Sequence, residues 1–291
     1  MSSAEDTRKA GKIAAQIRAY AISLCKDGAL ARDIADNVEA KTKDLGAGIA
    51  FPMDISINSI AAHYCPFSDD PLVIKKGDVV KLDIGAHING WVADTAFTVE
   101  VGTNAYTKLI QSSKEALDAA CKLAKEPGVK ISDIGQAISD TITTFGYTPI
   151  ANLSGHGIGQ YIVHDTPTIP NFNNGDDTKL VEGQFIAIEP FATTGQGLVG
   201  NGKPSGIYRL VQIKPVRMPV ARKLILRLEE TYNTLPFTAR WLKDIPNIHF
   251  LLRLLEKENI IDQYTQLPEK SGGMVAQFEH SVEVGYGIIT K

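Results

Sequence analysis

Five side chains in this sequence sit where a charge or a ring nitrogen would be awkward unless it had a job. Residues 79–101 read VVKLDIGAHINGWVADTAFTVEV, two β-rich runs around Asn89-Gly90, a dipeptide favoured at two-residue type I′ hairpin turns. If those two residues form the loop, Ile88 faces Trp91, Gly85 faces Asp94 and Asp83 faces Ala96. Facing residues share a side of the sheet, as do positions i and i+2. Asp83 and Asp94 then become diagonal neighbours on one face, with Cα atoms roughly 7–8 Å apart, and Gly85 and Ala96 leave space beside them. The inference turns on parity, because a three-residue loop would send the two acids to opposite faces, and exposed strands often carry aspartates. Two carboxylates held together repel and one is forced to keep its proton, so a cation between them is the physical reason to retain such a pair.

Three more groups extend the set. His156 lies in SGHGIG, where flanking glycines permit unusual backbone angles and clear space near the ring; by itself it is either a loop histidine or a ligand. Glu189 ends the apolar run QFIAIE, and Glu279 stands in MVAQFEH, where alternation puts it on one face with Gln277 and Val275. An acid in such a run needs a partner, since burying it unpaired is very costly. Together Asp83, Asp94, His156, Glu189 and Glu279 carry four negative charges and one neutral imidazole, which two divalent cations would balance. Oxygen-rich ligation with one nitrogen suits Mn, Fe, Co or Zn better than a sulfur-seeking ion. A metal pair of this kind activates a water for hydrolysis, as in two-metal aminopeptidases and phosphatases.

The elements that must position these groups follow from the pattern. Residues 4–25 and 29–44 carry apolar side chains at helical spacing, separated by Asp27-Gly28. Residues 105–125 and 132–145 read as helices, the second opened by the capping candidates Ser132 and Asp133. Strands and glycine-rich loops dominate residues 151–216, and strand texture returns at 274–290. Between them, residues 217–262 form a block of helical periodicity punctuated by Pro219, Pro236 and Pro246. The expected organisation is a main domain, residues 1–216 and 263–291, closing around an inserted helical subdomain at 217–262.

Composition narrows the alternatives. The 291 residues are 44% hydrophobic, enough for a real core, and the net charge of −3 from 30 basic and 33 acidic residues offers no basic surface for nucleic acid or an anionic membrane. No stretch resembles a signal peptide or a bilayer span, so a soluble intracellular protein is expected. Cys25, Cys65 and Cys121 are odd in number and widely spaced, which reads as buried free thiols; Cys65 is of interest because it lies two residues after His63.

The five residues, in the contexts KLDIG, ADTA, SGHGIG, IEPFAT and QFEH, together with His63 in AAHY, resemble the methionine aminopeptidases in both motif and order. The likeness runs from about residue 10 to the end. It implies an α+β pita-bread fold, antiparallel sheets covered by helices. It also implies an enzyme that removes the initiator methionine from nascent chains when the second residue is small. By that resemblance Asp83 binds one of two divalent metals, His156 and Glu189 bind the other, and Asp94 and Glu279 bridge them. Glu189 would also be the general base, with His63 and His164 near the scissile bond and its developing oxyanion. Phe51 matches a position lining the methionine pocket, though it is equally readable as a core phenylalanine. The long stretch from Glu189 to Glu279 resembles the type II branch. The charged N-terminal extension of some type II relatives is missing here, and Gly157 replaces a bulkier residue, which bears on loop stiffness rather than metal binding. The resemblance further implies a cytoplasmic monomer, transiently near the ribosome, needing neither nucleic acid nor membrane. Two rivals share the fold: an X-Pro aminopeptidase or prolidase, and a non-catalytic paralogue that binds RNA or protein. The AAHY and QFEH contexts and the insertion speak against the first, and the intact ligand set against the second.

Overall fold

Alternation along the hairpin decides how the first half of the molecule is layered. The computed structural model describes residues 3–291. Strands Val79–Ile88 and Trp91–Glu100 pair antiparallel in the expected register, with Gly85 opposite Asp94 and Asp83 opposite Ala96. Asn89 and Gly90 both have positive φ, 51° and 83°, as a type I′ turn requires. Leu82, Ile84, Ala86 and Ile88 all point into one apolar cluster with Ala93 and Phe97. Asp83, Gly85 and Asp94 therefore occupy the other face. Strand Gly48–Ile57 completes this sheet on the outer side of Val79–Ile88.

Two helices cover its apolar face, α1 (Ser3–Leu24) and α2 (Ala31–Asp44). Their buried stripes, Ala10, Ile13, Ala14 and Ile17 on α1 and Ile34, Ala35 and Val38 on α2, recur at three- and four-residue spacing and enter the same cluster. A second helix pair, α3 (Thr107–Ala124) and α4 (Ile131–Thr144), covers two further sheets in a second cluster that contains Ile186, Ile188, Ala192, Ala276 and Val282. Those sheets are five-stranded, in the order 287–288, 280–283, 185–188, 154–159, 162–170, and three-stranded, in the order 275–277, 191–193, 148–149. Both sheets are antiparallel throughout.

One helix start differs from expectation. Neither Ser132 nor Asp133 caps α4; the capping position is Lys130, with no side-chain bond. The first amides of the helix are satisfied instead by the backbone of a crossing segment, Ile131 N–H donating to Thr178 O and Ser132 N–H to Asp176 O, each at 3.0 Å. A tertiary acceptor has displaced the local cap.

Residues 217–262 hold α5 (Pro219–Tyr232), a 3₁₀ turn at Ala239–Leu242 and α6 (Ile248–Lys257), packed round their own cluster of Leu224, Leu228, Phe237, Leu251 and Leu255. Their sheet is completed from outside that range, since strand Pro204–Leu210 lies between Phe237–Thr238 and Ile261–Thr265. Arg240 and Glu39 tie this block to α2 by a buried two-pronged ion pair, 2.7 and 2.6 Å, and the Trp241 indole donates to Glu39 as well.

Candidate metal centre

Glu189 and Glu279 are brought together by two strand breaks that face each other. Strand Phe185–Ile188 ends just before Glu189 and resumes at Phe191, while strand Val275–Gln277 ends just before Phe278-Glu279 and resumes at His280. The ladders pair Gln277 with Phe191 and His280 with Ile188, so both acids sit where the pairing is interrupted and side chains can turn out of the sheet. The hairpin is stitched to the same place. Glu279 N–H donates to Ala96 O at 2.9 Å, Thr95 Oγ1 donates to Glu279 O at 2.9 Å, and Asp94 N–H donates to Ser281 Oγ at 2.7 Å.

His156 enters from strand Ser154–Gly159. Its Nδ1 lies 3.0 Å from Gly157 O; a carbonyl only accepts, so Nδ1 carries the proton and Nε2 offers its lone pair. That Nε2 is 3.9 Å from Asp94 Oδ2 and 3.8 Å from Glu189 Oε1. Ligand atoms of Asp94, His156 and Glu279 all lie within 4.8 Å of one another. Gln277 Nε2 donates to Asp83 Oδ2 at 3.1 Å and to Glu189 Oε2 at 3.3 Å, holding the remaining two acids in the group.

The electrostatics call for cations. Asp83 Oδ1, Asp94 Oδ1 and both Glu279 oxygens are buried without a hydrogen-bond partner. Burial pushes the Asp83 carboxyl up to about 6. Burial first, then mutual repulsion, drives Asp94, Glu189 and Glu279 well above the usual carboxylate range. Burial pulls His156 down to about 4, so its ring is neutral. Orphaned oxygens beside an unprotonated imidazole nitrogen are what divalent ions of the Mn to Zn series bind, so the residues fit a metal centre.

All eight residues singled out by the sequence, Phe51, His63, Asp83, Asp94, His156, His164, Glu189 and Glu279, line one cavity of about 190 Å³. The His164 ring stands edge-on to His156 at 4.5 Å between centroids. His63 has a left-handed backbone, φ 66°, and its Nδ1 lies 3.2 Å from Thr265 O. Phe51 pairs with Gly85 across the sheet; a Cβ at Gly85 would lie 2.3 Å from the Phe51 ring, so the missing side chain is what admits it. Cys65 is buried outside this lining, and burial pushes its thiol up to about 12.

Several lining residues escaped the sequence. Asp54 faces Asp83 across the strands and accepts the His63 amide through Oδ2, while its Oδ1 is buried and unpaired. Its only sequence signal is an acid inside the apolar run FPMDISI. Tyr264, Ile207 and Pro236 reach the cavity from the 204–265 region, a long-range placement that no local pattern encodes. Gln277 was visible as the residue sharing a face with Glu279, but not its grip on Asp83 and Glu189.

Residues 5–284 match the family model of metallopeptidase family M24. The chain is 46% identical over 284 residues to a methionine aminopeptidase of Archaeoglobus fulgidus, spanning 97% of this chain and 96% of the relative. It is 33% identical to methionine aminopeptidase 2-1 of Emericella nidulans, spanning 96% of this chain and 68% of that one. A crystal structure of methionine aminopeptidase from Thermotoga maritima superposes with a TM-score of 0.73 at 24% identity, over 99% of this chain and 96% of the other. The fold is therefore the pita-bread fold that the motifs implied. A match over nearly the whole length, around a cavity built for metal, establishes that the chain belongs to the methionine aminopeptidases of metallopeptidase family M24.

Proposed function

We propose that this protein removes the N-terminal methionine from newly made polypeptides whose second residue is small, by metal-dependent hydrolysis. The observation that carries the reading is the group of four buried carboxylates and one neutral imidazole at the head of a single cavity, four of whose oxygens have no partner. Asp83, Asp94, His156, Glu189 and Glu279 would hold two divalent ions of Mn, Fe, Co or Zn, with Asp94 and Glu279 shared between them. When bound, such a pair supplies an activated water and Lewis-acid polarisation of the scissile carbonyl.

The protein's own groups supply the rest. Glu189 takes the proton from the attacking water and delivers it to the leaving amine. His164 lines the cavity and donates an N–H bond to the oxygen on which negative charge develops, while His63, whose Nδ1–H is directed at Thr265 O, offers its Nε2 lone pair to a substrate N–H beside the scissile bond. Burial keeps both rings neutral by lowering their proton affinity, so neither adds charge to the site. Phe51, with Ile207 and Pro236 opposite the sheet, gives the methionine thioether an apolar surface, and the modest cavity volume disfavours a large second residue.

The insertion of residues 217–262 and the likeness to the Emericella enzyme support a type II assignment. The chain is read as a cytoplasmic monomer meeting its substrates close to the ribosome, and no helix among the described residues is long and apolar enough to cross a membrane. The test is metal analysis of protein purified without added metal, combined with cleavage of short peptides. Hydrolysis of Met-Ala-Ser with Ala-Pro peptides left intact is the expected result. Cleavage before proline would instead make the chain an X-Pro aminopeptidase, and metal uptake with no turnover would make it a binding protein.

A further inference from the structure

The geometry points to a second, outer groove as the binding site for the substrate's downstream polypeptide, the residues that follow the second position. This rests on the aminopeptidase reading and extends it, because a nascent chain is far longer than the catalytic cavity can hold. The groove, about 460 Å³, shares Val163, His164, Pro236 and Tyr264 with the catalytic cavity. It runs on into a further hollow of about 280 Å³ with which it shares Leu210, Val211, Asn233 and Thr234. A peptide whose scissile bond lies beside His164 leaves the cavity at these shared residues.

The walls suit an extended chain. One is strand Ile162–Pro170, an edge strand of the five-stranded sheet, whose outer side no other strand among the described residues pairs, and an edge strand is a ready template for an extended peptide. The other is the end of strand Pro204–Leu210 with residues 233–236. The Thr234 hydroxyl donates to Tyr161 O and bridges the two walls at one end. Ile162, Val211 and Ile213 are 42%, 53% and 53% exposed, apolar side chains left open along this path. Arg209, which lines the groove, is paired with Asp262 at 3.3 Å and lies over the Tyr264 ring, and Glu229 lines the further hollow. The groove therefore offers mainly backbone and apolar surface, as an enzyme acting on many different nascent chains requires.

The test compares Met-Ala-Ser with a ten-residue peptide that begins with the same three residues, using the metal-loaded enzyme. The long peptide is expected to show a kcat/KM higher by about tenfold, the scale of burying one or two part-exposed aliphatic side chains. Ile162→Glu combined with Val211→Glu should erase that advantage while leaving tripeptide cleavage unchanged, because neither residue lines the catalytic cavity. If the double variant also loses tripeptide cleavage, the milder Ile162→Ala with Val211→Ala replaces it and should reduce the advantage in the same way. Equal kcat/KM for the two lengths in the unaltered enzyme, or a length advantage that survives both pairs of substitutions, overturns the groove. Failure of the unaltered enzyme to cleave even the tripeptide overturns the proposed function itself.

Discussion

Asp94 is where the charges of the site converge, since its carboxylate lies beside His156, Asp83 and Glu189 and its backbone is pinned to Ser281. Asp94→Ala should abolish turnover and reduce bound metal, yet leave the metal-free protein at least as stable, because the substitution removes a repelled buried acid. Metal analysis and thermal unfolding of the chelated variant check this; full activity in the variant would refute the bridging role. His164→Ala separates chemistry from binding of the ions: kcat should fall by roughly 10²–10³, as for loss of an oxyanion donor, with metal content unchanged. Asp54 makes a third case. It anchors the amide of His63, which sits at φ 66°, a backbone conformation that costs a non-glycine residue on the order of 1–3 kcal/mol and persists only when it is held. Asp54→Ala should therefore lower kcat, whereas Asp54→Asn, which still offers an oxygen to that amide, should retain most of it; equal losses in both would contradict an anchoring role. Asp54 was not legible in the sequence because a single acid in a β run reads as a surface residue until its facing partner is known.

The hairpin was readable in advance because everything that sets it is local: Asn89 and Gly90 fix the turn, the turn fixes the register, and the register fixes the face. The meeting of Glu189 with Glu279 was not readable from spacing, since it depends on two interrupted strands aligning across the length of the insertion. The motifs, not the periodicity, brought them together in the sequence. The same distinction explains Ser132, where a distant backbone acceptor overrides a local cap, and strand Pro204–Leu210, whose partner Phe237–Thr238 lies inside the 217–262 block and whose partner Ile261–Thr265 runs across its end. Gly157 tests how tightly an element must be built to aim one ligand. A Cβ there would lie 2.1 Å from Thr166 O, so the strand carrying His156 can approach strand Ile162–Pro170 only because residue 157 has none. Gly157→Ala should cost about 1–3 kcal/mol through overpacking and weaken metal binding by shifting the adjacent ring. A calorimetric metal titration reads the shift, and unaltered affinity in a destabilised variant would separate the strand contact from the site.

For the molecule as a whole, the helical block of residues 217–262 is tied to α2 by the buried Arg240–Glu39 pair, and the sheets meet around acids whose charge divalent cations would balance. Arg240→Met would leave the 5% exposed Glu39 with no cation beside it, and breaking a buried pair in this way costs about 3–5 kcal/mol. The denaturation midpoint should fall accordingly, and a shift no larger than that of a surface variant would show the pair to be dispensable. The metal centre couples stability to pH in a direction that can be worked out. Carboxyls whose proton affinity is raised in the folded state keep protons that the unfolded chain has already released, so rising pH favours unfolding. His156 and His280, depressed to about 4 and about 3, oppose this, but only below about pH 6.5, where the unfolded histidines begin to charge. Above the pH range in which the unfolded histidines charge they no longer contribute, and Asp94, Glu189 and Glu279, all held well above the usual carboxylate range, give the direction of the slope. Chelated protein should therefore lose thermal stability as pH rises above that range. Saturating Mn or Co should reverse the trend, since ions bind the deprotonated acids and add about 2.7 kcal/mol at a hundredfold excess over Kd. Midpoints measured at three pH values with chelator and with metal decide it, and a chelated protein that gains stability with rising pH would mean that these acids are not forced to hold protons together.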